Sequence, residues 1–99
     1  MDGYLALTEF YKTISGDNRI GATHISLYMA LFQCWQVNGF QNPVCFYSRE
    51  IMPMAKIASR ATYHKCMNDL VEYRYLQYIP SCNPFLKSGV IINANNGNG

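Results

Sequence analysis

The stretch that most narrows what this chain can fold into is residues 59–73, SRATYHKCMNDLVEY. Ser59 suits a helix N-cap, because its hydroxyl can accept the otherwise unpaired backbone N–H of Thr62. Tyr63, Cys66, Met67 and Leu70 then recur at helical spacing and give the helix one apolar side. Ala61, His64, Lys65 and Asn68 fall on the other side, with Arg60 at its N-terminal edge. A basic, amide-bearing face with one small residue suits the major groove, where Arg, Lys and Asn pair with base edges or phosphates. An ordinary amphipathic surface helix has the same periodicity, so the flanking chain has to decide between the two.

Upstream lies a second short helix over residues 49–57, with Ser48 as its cap and Glu50 in its first turn, near the positive end of the helix dipole. Ile51, Met54 (or Met52) and Ile57 would face the core. Pro53, past the first turn, removes a hydrogen bond and should kink or shorten this helix. Ala58 and Ser59 leave only a tight turn before the next one, which is the helix-turn-helix arrangement. Downstream, residues 75–79 alternate and are rich in β-formers, and residues 90–92 form a second strand after Gly89. The Pro-, Ser-, Asn- and Lys-bearing segment 80–88 between them makes a hairpin with a long tip. Residues 93–99 are Asn and Gly apart from Ala94, and read as a flexible tail.

Towards the N-terminus, residues 3–15 read as a helix with Leu7, Phe10, Tyr11 and Ile14 on one stripe, ended by the turn chemistry of Ser15-Gly16-Asp17-Asn18. Thr23 opens a stronger helix over residues 23–37, with His24 as a surface group beside the cap. Ile25, Tyr28, Met29, Phe32 and Trp35 make one stripe on it; Leu27, Leu31 and Cys34 make a second. So wide an apolar surface places this helix centrally in the core or against another subunit. Asn38-Gly39 ends it, with Gly39 suited to the left-handed position after a helix. Asn42-Pro43 marks a turn, and residues 44–47 form a short strand.

At 99 residues the chain has room for one domain, residues 1–92, followed by the tail 93–99. Its net charge of +2 does not announce a nucleic-acid binder. The distribution says more: Arg49, Lys56, Arg60 and Lys65 face only Glu50 within residues 48–66, while the remainder is close to balanced. The positive excess lies where the helix-turn-helix lies. Cys34, Cys45, Cys66 and Cys82 include no C-x-x-C pair and stand in no metal-ligand spacing to the two histidines, so all four are expected to be reduced thiols in a cytoplasmic protein. No stretch approaches the ~20 apolar residues of a membrane span. No leader, glycine-rich phosphate loop or Ser–His–Asp set stands out, so catalytic, cofactor and metal residues are all expected to be none.

The order of helix, helix, short strand, helix, turn, helix, strand, loop and strand resembles the winged helix-turn-helix superfamily, with one extra N-terminal helix. The residues carrying the resemblance are SREIMPMAKIASRATYHKCMNDLVEYRYLQY, over a region of about residues 23–92. THISLYMALFQCW, SRATYHKCMNDL and PSCNPF also look like short bacterial proteins described as transcriptional regulators, some on mobile elements. The resemblance implies a small α+β winged helix-turn-helix domain that binds double-stranded DNA sequence-specifically. It places Arg60, Ala61, Thr62, His64, Lys65 and Asn68 towards DNA, Arg49 near the duplex backbone and Lys87 on the wing; Lys56 joins these DNA-binding candidates from the basic segment 48–66. Two features depart from the pattern. Arg74 stands where such proteins usually have Gly, and Lys87 is the wing's only charge. With so few cations, a homodimer through residues 4–14 and the 23–37 helix is expected. The alternative is a winged-helix protein–protein module in a replication or mobile-element complex.

Overall fold

The wide apolar helix is the centre of the molecule. The structure, a computed structural model, describes residues 3–80 and 87–93. Among them the order is α1 (Gly3–Ser15), α2 (Ala22–Val37), β1 (Val44–Phe46), α3 (Ser48–Met54), α4 (Arg60–Glu72), β2 (Leu76–Ile79) and β3 (Ser88–Ile92), an α+β fold. α2 packs against α3, α4 and β1. Leu27, Tyr28, Leu31, Phe32 and Trp35, drawn from both of its stripes, are covered by the chain's own elements. Of the two expectations for this helix, the central one describes the fold.

α1 docks through Ala6 and Phe10. The Phe10 ring stacks on Tyr28 at 3.7 Å between centroids and meets Tyr75 edge-on. Tyr11, expected on the same stripe, is 44% exposed. The Asp17 carboxylate takes two bonds from the Arg19 guanidinium and one from the Tyr75 hydroxyl, and Arg19 lies over the Tyr73 ring. The turn after α1 is thereby tied to the residues that follow α4.

Three helices end in the same way. After α2, Gly39 N–H bonds to Gln36 C=O and Phe40 N–H to Trp35 C=O; after α3, Lys56 bonds to Pro53 and Ile57 to Met52; after α4, Arg74 bonds to Val71 and Tyr75 to Leu70. Each pair is a Schellman motif, which needs a left-handed residue just past the cap. That residue is Gly39 (φ 68°), Lys56 (φ 61°) and Arg74 (φ 71°) respectively. The expected helix over residues 49–57 therefore stops at Met54. Pro53 withholds an N–H one residue before the end and helps to stop it. Ile51, Met52 and Ile57 face the core, and Met54 is exposed.

Two caps also differ from expectation. α2 begins at Ala22 with Gly21 as N-cap, and it is His24 Nδ1 rather than Thr23 that serves this end, accepting from Gly21 N–H at 3.0 Å. α3 begins at Ser48 itself, after Tyr47 as N-cap, with no side-chain cap bond. Ser59 caps α4 as expected, accepting from Thr62 N–H at 3.2 Å.

The sheet is antiparallel in the order β1-β3-β2. β3 pairs with β2 from Leu76↔Ile92 to Ile79↔Gly89, and with β1 from Val44↔Val90 to Phe46↔Ser88. Asn42 extends the second ladder by bonding both backbone groups of Ile92. The tip of the expected hairpin, residues 81–86, and tail residues 94–99 lie outside the described residues. Cys34 and Cys66 are free, Cys45 is disulfide-bonded, and Cys82 lies outside the described residues. This corrects the expectation of four reduced thiols: spacing along the chain does not reveal which sulfurs the fold brings together. Among the described residues no helix is long and apolar enough to cross a membrane.

Candidate nucleic-acid interface

α4 separates its two faces cleanly. Tyr63, Cys66, Met67 and Leu70 are buried, Leu70 completely. Burial pushes the Cys66 thiol above its ordinary value, which keeps it a neutral, hydrophobic group. Arg60, Ala61, Thr62, His64, Lys65 and Asn68 are all exposed. The Ser59 cap fixes the first turn, so this polar face begins with ordered backbone.

A polar link fixes how α4 sits on α2. His24, expected at the surface, is buried. Its Nδ1 accepts from Gly21 N–H, so the ring proton belongs on Nε2, which donates to Asp69 Oδ2 at 2.8 Å. The same oxygen accepts from Lys65 Nζ at 2.9 Å. These two partners hold the Asp69 carboxyl below its ordinary value. One carboxylate thus joins the start of α2 to the exposed face of α4. The Lys65–Asp69 spacing is legible in the sequence as a helical i, i+4 pair. The His24 partnership is not, because the two residues meet only through packing.

The remaining predicted residues gather around α3. Arg49 and Lys56 are exposed and, with Met52, Pro53, Ile57 and Ala58, line a depression of about 550 Å³. The guanidinium carbon of Arg49 lies 4.2 Å from the Tyr47 ring centroid. Lys87, the residue before β3, places Nζ 5.1 Å from the same ring. Sequence reasoning left Tyr47 out of the site; its signal was its place one residue beyond a strand and two before an arginine. Arg60 lies close enough to Tyr63 to counter, in part, the burial that pushes that hydroxyl up to about 12.

The nine predicted residues therefore fall into two groups: six on the exposed face of α4, and Arg49, Lys56 and Lys87 around α3 and the start of β3. Among the described residues no group of three His, Cys, Asp or Glu side chains is placed to hold a metal ion. Comparison with family models, with curated proteins and with solved structures returns no match for this chain.

Proposed function

We propose that the chain is a winged helix-turn-helix protein that binds duplex DNA sequence-specifically and acts as a transcriptional regulator. The observation that carries this reading is α4 itself: a capped helix with Arg60, Lys65 and Asn68 on an exposed face and a wholly apolar opposite face. It follows a short helix by a turn and precedes an antiparallel strand pair, the setting in which a helix enters the major groove. In this reading Arg60 reaches a guanine edge or a phosphate, Asn68 reads adenine, and Thr62 and His64 make neutral contacts. Ala61 permits close approach. Lys65 exchanges Asp69 for a phosphate, and Arg49, Lys56 and Lys87 add backbone contacts.

The test is selection from a random-sequence duplex pool, wild type against Arg60→Ala plus Lys65→Ala. The wild type retains a defined subset of duplexes, and the double variant loses it. Each neutralised phosphate contributes about −0.9 to the slope of log K against log salt. The variant's slope is therefore shallower by about one to two. A wild type that retains no duplex would sink the reading.

A further inference from the structure

Tyr47 stands where three parts of the fold meet. It directly follows β1 and is the N-cap residue of α3. Phe46 pairs with Ser88 across β1 and β3, so Tyr47 and Lys87 are the next residues outward along that ladder. Arg49 comes two positions later, in the first turn of α3. Two cations from distant parts of the chain are thereby brought against one half-buried ring.

The negative face of the ring attracts each cation. Among the described residues Glu50, the neighbouring acid in sequence, makes no ion pair with Arg49. A guanidinium stacked on a ring keeps its in-plane N–H groups for a fork onto phosphate oxygens. Holding long side chains in place before contact also reduces the rotamer freedom lost on binding.

We propose that Tyr47 is a positioning residue that presents Arg49 and Lys87 to backbone phosphates of duplex DNA. The proposal rests on the DNA-binding reading above. It adds the residue that aims two of the backbone contacts, without Tyr47 itself touching DNA.

The test titrates variants against random-sequence duplex at about 50 to 200 mM salt, the range over which such contacts are most visible. Tyr47→Phe and Tyr47→Trp keep a ring face and keep the wild-type affinity and salt slope. Tyr47→Leu keeps bulk without the face, weakens binding about threefold to tenfold and flattens the slope by about 0.9. In an Arg49→Gln plus Lys87→Gln background, Tyr47→Leu causes no further loss, as expected of a residue acting through those two. Arg49→Lys, at an exposed position, keeps the charge but loses the stacked fork and weakens binding too; it carries the test should Tyr47→Leu not fold. Wild-type affinity and slope in Tyr47→Leu, or in Arg49→Lys, would overturn the proposal and leave DNA binding standing. A wild type with no affinity for duplex would overturn both.

Discussion

Asp69 shows how much one carboxylate can hold together. It accepts from buried His24 on α2 and from exposed Lys65 on its own helix. Both partners favour the ionised form, so its folded pKa lies below the ordinary 3.8. A group depressed in this way contributes stability that is complete above the unfolded value and is lost as pH falls through the folded one. The affected window therefore opens near pH 3.8 and extends downward. Asp17, held low mainly by Arg19, acts in the same direction. Asp69→Asn is expected to lower the urea midpoint at neutral pH and to flatten its decline below about pH 4. A variant whose midpoint tracked the wild type throughout that acid range would contradict this role. At this scale the sequence revealed the Ser59 cap and the four buried residues of α4, because local spacing encodes them. It misplaced His24, because burial and a partner on another helix are not local properties.

At the scale of elements, helix ends divide what is legible from what is not. Gly39 announced the end of α2, since glycine adopts positive φ without steric cost. Lys56 and Arg74 occupy the equivalent positions after α3 and α4; no side-chain preference announces Lys56, and Arg74 is marked only by standing where the resembled pattern has Gly. A non-glycine residue there costs about 1–2 kcal/mol. Arg74 is exposed, and the two bonds closing this turn are made by backbone groups. Arg74→Gly is therefore expected to stabilise the protein by roughly 0.5–1 kcal/mol, the relieved strain less the added freedom of the unfolded chain. Equilibrium urea unfolding reads this directly, and an unchanged or lower stability would show that the Arg74 side chain contributes more than its backbone costs. At Lys56 the same exchange would also remove a charge from the depression it shares with Arg49, so there stability and DNA affinity are expected to pull apart.

At the scale of the molecule, a radius of gyration of 12.7 Å is what one packed domain of this length should have. α2 spends its apolar width inside that domain, so it has little left for a second subunit; Val37, at its end, is 78% exposed. α1 differs. Tyr4, Leu5 and Tyr11 are exposed, and Tyr4, Leu7, Thr8 and Tyr11 with Lys12 and Ser15 line a shallow hollow of about 390 Å³. If the protein dimerises to span two half-sites, α1 rather than α2 is the expected contact. Sedimentation at micromolar concentration without DNA should then show a dimer that Tyr4→Ser plus Tyr11→Ser converts to monomer. A wild type that sediments only as monomer would remove dimerisation from the reading. The sequence by itself determined the elements and their order, the apolar side of α4 and its exposed face, because helical and strand periodicities are written in consecutive residues. Only the tertiary structure decided that β1 joins the hairpin across β3, that His24 and Asp69 lock α2 to α4, that Cys45 lies in a disulfide, and that Tyr47 gathers Arg49 and Lys87. Each of these depends on groups that packing brings together from separate parts of the chain, and short-range spacing carries no record of them.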